Sequence, residues 1–185
     1  AAARSIDANV LLVRAGAMYH DIGKTENPQC FVENEGVGAK YHDGLTPLES
    51  AKMIINHVTD GMRLAEKYNL PTMVSDFIIT HHGTSCAAYF YNKYIQEGGD
   101  PPNADAFFYK GKKPWTKEQT ILMICDSIEA ASRTLKDTSP EAFDKFVESI
   151  VASKINAGQL DNADISLKEL CRIKSVLKSY LGQIY

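Results

Sequence analysis

The sequence predicts an all-α protein, and two observations support this prediction. Three segments match the capping box that begins many helices, in which Ser or Thr is followed three residues later by Glu or Gln; they cover residues 46–49, 116–119 and 166–169. Behind each box, apolar residues recur at the spacing of a helix, and no segment shows the alternation typical of a half-buried strand. We therefore expect one all-α domain over residues 1–185, built as a helical bundle.

The first predicted helix covers residues 8–22, and its last turn carries a histidine–aspartate pair. Asp7 or Ser5 can cap its start. Gly23 suits the left-handed position just after a helix end, where a side chain would be strained. Residues 24–45 then form a long polar connection, and a loop of this length is often functional.

The middle of the chain is predicted to contain three more helices. The capping box at Thr46 begins one that ends near His57, and Thr59 can cap the next. Pro71 begins a third, whose apolar positions continue to His81 and which Gly83 ends. Two of these helices therefore carry a histidine near their end.

The last third of the chain continues the helical pattern. An aromatic-rich helix over Tyr89–Ile95 is followed by a loop and then by the second capping box, at Thr116. The helix after Thr116 is the most apolar in the chain. Ser139-Pro140 begins another helix, and the third capping box, at Ser166, begins the last.

The composition excludes several classes of function. The net charge of −3 lacks the basic field that binds nucleic acid non-specifically, so no DNA or RNA polymer is expected as a partner. No stretch approaches the ~20 apolar residues that span a membrane, so this chain is not expected to insert into one. The four cysteines are far apart and form no C-x-x-C pair, which excludes a zinc ribbon and indicates reduced thiols in the cytosol.

Six side chains could together hold metal ions. An isolated histidine on an apolar helix face is usually a hydrogen-bonded core residue, but four of the five histidines lie at or near predicted helix ends, which can converge in a bundle. A carboxylate within the most apolar helix would be costly to bury unless it is paired or binds a metal, although it could also face solvent. The candidate ligands are His20, Asp21, His57, His81, His82 and Asp126.

The types of ligand indicate the metal and the reaction. Imidazole and carboxylate without thiolate suit Mn²⁺ or iron, with Mg²⁺ and Zn²⁺ as alternatives. The candidates are too many for one catalytic ion and suit two divalent ions ~3.5–4 Å apart, as in phosphatases and nucleases. Asp21 could bridge the two ions with one oxygen each, and a shared water that has lost a proton would attack a phosphorus atom.

Two further residues could contact a substrate. Lys24 follows the histidine–aspartate pair and could add positive charge at a phosphate, or it could be a solvated lysine at a helix end. His42 could support a ligand, contact the substrate or be an ordinary loop histidine. Both are candidate substrate contacts, and Asp21 and Lys24 are the candidate catalytic residues.

The combined motifs resemble the HD-domain metal-dependent phosphohydrolases, and in particular the intracellular domain of the seven-transmembrane HD family. The matching segments are distributed over essentially the whole chain: His20-Asp21-Ile22-Gly23-Lys24, Phe31-Val32-Glu33-Asn34, His57-Val58-x-Asp60-Gly61, and residues 81–85, 125–131 and 158–162. The resemblance implies an HD-domain helical bundle that hydrolyses cyclic-di-AMP to linear pApA at two Mn or Fe ions. It makes the six candidates the ligands, with Asp21 as the bridge, and implies a cytoplasmic domain of a membrane-anchored parent protein.

One departure from the family pattern concerns the second ion. The family has a further histidine on a helix before the HD pair, whereas no histidine precedes His20 here, and the chain begins at what looks like the end of that helix. The ligands would divide as Asp21, His57, His81 and His82 for one ion, and His20, Asp21 and Asp126 for the other. We therefore expect a fragment that binds one ion better than the other and has weak activity.

Two other functions stay open. Another HD phosphohydrolase, acting on cyclic-di-GMP or a mononucleotide, could use the same ligands; the cyclic-di-GMP type continues from its paired histidines into Gly-Tyr-Pro, whereas residues 83–86 here are Gly-Thr-Ser-Cys. The alternative from a different class is a degenerate HD module that senses a nucleotide without cutting it, and the absent upstream histidine is its support.

Overall fold

The structure is a computed structural model that describes residues 1–31 and 41–184. Within these residues there are eight α-helices and three 3₁₀-helices and no strand, which confirms the predicted all-α class. The α-helices are α1 (Ala2–Ser5), α2 (Val10–Tyr19), α3 (Pro47–Lys67), α4 (Thr72–Thr80), α5 (Ala88–Gln96), α6 (Lys117–Ser132), α7 (Pro140–Asn156) and α8 (Leu167–Ile184). The 3₁₀-helices cover Ile22–Glu26, Pro28–Cys30 and Pro101–Phe107. Of the quoted motif that begins at Phe31, residues 32–34 lie outside the described residues.

The three predicted capping boxes are all present, and they show why these helices begin where they do. At α3, the Thr46 hydroxyl accepts a hydrogen bond from the backbone N–H of Glu49 at 3.3 Å, and the Glu49 carboxylate accepts one from the backbone N–H of Thr46 at 2.9 Å. The same reciprocal pair begins α6, and Ser166 and Glu169 form it before α8. Each box satisfies N–H groups that a helix start leaves without an intrahelical partner.

The first predicted helix is placed differently by the structure. α2 begins at Val10, after the Asn9 side chain, which accepts a hydrogen bond from the N–H of Leu12 at 3.0 Å; the expected caps Asp7 and Ser5 do not serve this end. It ends at Tyr19, three residues earlier than predicted, and the histidine–aspartate pair occupies the turn that follows.

The role predicted for Gly23 was also wrong. This residue lies in the 3₁₀-helix Ile22–Glu26 and is absent from the described glycines with positive φ. It is required for a different reason, because a Cβ at this position would lie 1.8 Å from the carbonyl oxygen of His57. The turn can therefore approach α3 this closely only with glycine at position 23.

The prediction of two helices around His57 was wrong as well. α3 runs without a break from Pro47 to Lys67, so Thr59 caps nothing and His57 lies in the middle of the helix, not near its end. Gly61, which would weaken an exposed helix, is buried here, and a Cβ on it would lie 2.8 Å from the Ile78 side chain. Packing against α3 has therefore overridden the local signal.

The chain divides into two compact units, Ala1–Ala17 with Lys113–Tyr185 and Met18–Lys112. In the first unit, α7 packs against α6 and α8, and α1 packs against α6 and α8. The fully buried side chains Ile124, Val147 and Ile173 belong to its two hydrophobic clusters.

In the second unit, α3 is the central element. It contacts α4, α5 and the 3₁₀-helices Ile22–Glu26 and Pro101–Phe107. Phe77 and Ile78 of α4 are buried.

Two findings concern the expectations about membranes and thiols. Across residues 1–31 and 41–184, no helix combines the length and the hydropathy that crossing a membrane requires. All four cysteines are free thiols.

Candidate metal centre

His57 lies in the middle of α3, and one of its ring nitrogens is available to bind a metal ion. The residue is 2% exposed, and Nδ1 donates a hydrogen bond to the carbonyl oxygen of Ile54, one turn earlier in the helix, at 2.6 Å. Because a carbonyl oxygen can only accept, the proton is on Nδ1 and the lone pair is on Nε2. The helix backbone thus fixes both the tautomer and the direction of this imidazole, as metal-binding histidines require.

His81 is oriented in the same way at the end of α4. It is fully buried, its Nδ1 donates to the carbonyl oxygen of Ile78 at 2.8 Å, and its Nε2 lies 3.1 Å from Nε2 of His57. Burial and the neighbouring His81 lower the pKa of His57 to about 4, so His57 is neutral at physiological pH. Two nitrogen lone pairs therefore face each other at close range, and a cation bound by both would stabilise this arrangement.

Asp21 brings a carboxylate oxygen to the same place. Its Oδ1 lies 3.4 Å from Nε2 of His57 and 3.5 Å from Nε2 of His81. This oxygen is buried, and within the described part of the chain it accepts no hydrogen bond. Burial alone would raise the pKa of Asp21, but its contacts with the imidazoles of His20 and His81 and the charge of Lys24 hold it well below its usual range. An ionised oxygen thus faces two lone pairs.

These distances fit a divalent metal ion. Two ligands bound about 2.1 Å from an ion lie about 3.0 Å apart in octahedral geometry and about 3.4 Å apart in tetrahedral geometry. The three separations among His57, His81 and Asp21, 3.1, 3.4 and 3.5 Å, are close to these values. His82 completes the group, because His57, His81 and His82 each offer a ring nitrogen within 4.8 Å of the others. The structure therefore brings these four predicted ligands together.

The second oxygen of Asp21 has different neighbours. Oδ2 lies 3.3 Å from Nε2 of His20 and 2.7 Å from Nζ of Lys24. The ring of His20 also packs edge-on against His81, with centroids 4.9 Å apart. The two oxygens of one carboxylate thus point to two sets of partners, which is the arrangement that a bridging ligand needs.

Two further predicted site residues are Asp126 and His42. Asp126 lies on α6 in the first unit, where it is partly buried, and its role as a ligand stays a prediction. His42 lies in the second unit, with Nε2 2.8 Å from the carbonyl oxygen of Cys30 and its ring 5.1 Å from that of Phe90. Its contact with substrate likewise stays a prediction.

Two aromatic residues at the centre were missed by sequence reasoning. The Phe31 ring packs edge-on against His57 with centroids 5.8 Å apart, and Nζ of Lys24 lies over the same ring at 5.1 Å from its centroid. The Tyr109 ring stacks on His82 with centroids 4.2 Å apart and an angle of 29° between the planes. Phe31 belongs to a quoted motif and could have been found there; Tyr109 has no local sequence signal.

The fold and the site define a class: an all-α protein in which a histidine–aspartate turn and the ends and middle of buried helices form a centre suited to divalent metal. The HD domain family model matches residues 1–131, and the chain belongs to this family. The family assignment made from the motifs is therefore confirmed.

Two curated relatives carry the name cyclic-di-AMP phosphodiesterase PgpH. The chain is 40% identical to the one from Bacillus subtilis over 185 residues and 39% identical to the one from Listeria monocytogenes over 185 residues. Each alignment covers 100% of this chain and 26% of the relative, so the chain spans about a quarter of their length.

A solved structure is matched over a larger share of its own length. The crystal structure of the HD domain of L. monocytogenes PgpH in complex with cyclic-di-AMP is 37% identical to this chain, with a TM-score of 0.92. The match covers 100% of this chain and 86% of the crystallised one.

Proposed function

We propose that this chain is a metal-dependent phosphodiesterase domain that hydrolyses cyclic-di-AMP to pApA. The observation that carries the proposal is the match over the whole chain to an HD domain crystallised with cyclic-di-AMP. The geometry of the centre supports it, because ionised and neutral ligands converge where a divalent ion would be stabilised.

The residues of the centre would hold two divalent ions, for which Mn or Fe suits the donor set best. One ion would take Asp21, His57, His81 and His82, and the other would take His20, Asp21 and Asp126. When bound, such ions supply Lewis acidity at a phosphate oxygen and lower the pKa of a coordinated water. The orientation of His57 and His81 by helix carbonyls would keep their nitrogens in place without rearrangement on binding.

Lys24 and His42 are the proposed substrate contacts. The Lys24 ammonium lies beside Oδ2 of Asp21 and over the Phe31 ring, at the edge of the centre. From there it would neutralise part of the charge of a phosphate. His42 contacts the Cys30 carbonyl and the Phe90 ring and is proposed as the second substrate contact beside Lys24.

The proposal includes a cellular setting. The domain would act on the cytoplasmic side as part of a longer, membrane-anchored protein. The four free thiols support a reducing compartment.

A direct assay tests the proposal. The chain is stripped with a chelator, reloaded with Mn²⁺ or Fe²⁺, and incubated in parallel with cyclic-di-AMP and cyclic-di-GMP, with products separated by ion-exchange chromatography. We expect pApA from cyclic-di-AMP only, in the loaded protein only. Asp21→Asn is expected to lower the rate by more than about 100-fold, whereas Glu66→Gln, which removes an exposed carboxylate of α3, leaves it unchanged.

Three results would contradict the proposal in different ways. Equal cleavage of cyclic-di-GMP would indicate an HD phosphohydrolase of other specificity. Binding of cyclic-di-AMP without product would indicate a sensor. A failure of the unmodified chain to bind any metal would exclude the proposed centre itself. Metal analysis also distinguishes one bound ion from two.

A further inference from the structure

We infer that Tyr109 is a positioning residue for the metal ligand His82, held in place by a backbone clasp between residues 107–112 and residues 79–87. Tyr109 stacks on the His82 imidazole at 4.2 Å between centroids and also packs edge-on towards His57 at 6.1 Å. It is 6% exposed, so its ring is held in place by packing against the protein around it. Two of the histidines of the centre thus contact one buried aromatic ring.

His82 is restricted by face-to-face stacking on Tyr109, in addition to any contact made by its ring nitrogens. His57 and His81 are oriented through Nδ1 by carbonyl oxygens of their own helices. His82 lies beyond the end of α4 and just before Gly83, whose φ of 55° turns the chain away from the helix. A ring stacked on its face restricts the rotation of the imidazole. The electron-rich face of Tyr109 also favours an imidazole that carries positive charge from a bound metal.

The backbone hydrogen bonds of the clasp determine where Tyr109 lies. The two segments run antiparallel and are joined by four hydrogen bonds, from the N–H of Ala87 to Phe107 O (2.8 Å), of Tyr109 to Ser85 O (2.9 Å), of Gly111 to Gly83 O (3.1 Å) and of Lys112 to Ile79 O (2.9 Å). Gly111 fixes how close they lie, because a Cβ there would be 2.3 Å from Ile79 O and 2.7 Å from Gly83 O. The register that brings Tyr109 to His82 is therefore set by the segment that carries His82.

The test measures metal binding and not hydrolysis, because this role presupposes the metal centre proposed above. The variants are Tyr109→Phe, which keeps the ring, and Tyr109→Leu, which removes it. The matched control is Phe107→Leu, which removes a fully buried ring from the same clasp; that ring contacts Tyr91 and Tyr94 and no described histidine. For each variant, Mn²⁺ affinity is measured by calorimetry, ligand geometry by the visible absorption spectrum of the Co²⁺ form, and folding by thermal unfolding.

We expect Tyr109→Phe to bind Mn²⁺ as the unmodified chain does, with the same Co²⁺ spectrum. Tyr109→Leu should weaken Mn²⁺ binding by about 10- to 100-fold, the loss typical of residues that support a metal ligand, and should change the Co²⁺ spectrum. Phe107→Leu should lower the unfolding temperature at least as much and leave the spectrum unchanged.

Several outcomes would overturn the role assigned to Tyr109. These are unchanged metal affinity and spectrum in Tyr109→Leu, or the same spectral change in Phe107→Leu. If Tyr109→Leu does not fold, Tyr109→Met replaces it; failure of both to fold would mean that Tyr109 serves the fold and not the ligand. An unmodified chain that binds no metal would instead contradict the proposed function.

Discussion

Replacing Gly23 by alanine tests how the histidine–aspartate turn is joined to α3. A Cβ at this position would lie 1.8 Å from the carbonyl oxygen of His57 and 2.5 Å from the backbone nitrogen of Gly61, whereas real Cβ contacts essentially never fall below 3.0 Å. Both neighbours are backbone atoms of one helix, so neither can move aside by changing a rotamer. The turn would have to retreat from α3 by about 1.2 Å, the difference between 1.8 and 3.0 Å.

Such a displacement should affect both stability and the metal centre. Overpacking of this kind costs about 1–3 kcal/mol or more, and for a chain of this size each kcal/mol lowers the unfolding temperature by roughly 2–4 °C. At about 3 kcal/mol we therefore expect a decrease of roughly 6–12 °C. The turn carries Asp21 two residues before Gly23. A misplacement of about 1 Å in a reacting geometry can cost about 100-fold in rate.

Thermal unfolding and metal titration of Gly23→Ala measure both effects. The control is Gly182→Ala in α8, where the added Cβ meets no described atom within 4 Å beyond its chain neighbours and its own helix backbone. Alanine should stabilise the helix there by up to about 1 kcal/mol. An unfolding temperature within about 2 °C of the unmodified chain, together with unchanged metal binding, would refute the close approach of the turn to α3.

Three further predictions concern a ligand, an ion pair and the core. His81→Ala should weaken Mn²⁺ binding by more than about 100-fold in calorimetry, since it removes a ligand and not merely its support; an equal affinity would exclude His81 from the centre. The pKa of Glu169 is lowered to about 2, mainly because its carboxylate accepts a hydrogen bond from Lys117. The ionised Glu169 therefore stabilises the folded chain above the ordinary pKa of a glutamate, and this stabilisation is lost as the pH falls towards about 2. The difference in unfolding temperature between the unmodified chain and Glu169→Gln should accordingly shrink between about pH 5 and pH 2. Ile173→Ala, at a fully buried position, should lower the free energy of unfolding in urea by about 2–5 kcal/mol, whereas Ile155→Ala, at a position 45% exposed, should change it by less than about 0.5 kcal/mol; equal effects would contradict the burial of Ile173.

Three helix starts were predictable because each is encoded within a few residues, whereas the start of α2 was not. The capping boxes at Thr46, Thr116 and Ser166 satisfy the first N–H groups of their own helices, and no distant contact is needed to recognise them. The continuity of α3 was not predictable in this way. Thr59 and Gly61 look like a cap and a weak helix position. Thr59 is exposed, whereas Gly61 is buried against the Ile78 side chain, and a contact of that kind leaves no local sequence signal.

The identity of the candidate site residues was predictable from the sequence, whereas their arrangement in space was not. His57, His81, His82 and Asp21 were found by residue type and by the HD motifs, and the structure brings them together. The argument that placed His57 near a helix end was nevertheless wrong. The supporting contacts could not be found either, because Tyr109 meets His82 through a pairing of segments about twenty residues apart that leaves no periodic pattern.

The capping boxes have a consequence for the order in which the molecule is assembled. The box at Thr46 can close as soon as Glu49 is present, whereas the centre has to join the turn at Asp21 to His82. A chain still emerging from the ribosome, and halted before His82, would already carry the start signal of α3 but no complete centre. If the chain binds metal as proposed, binding would have to wait until His82 has been made, whereas the start of α3 is specified earlier by residues 46–49.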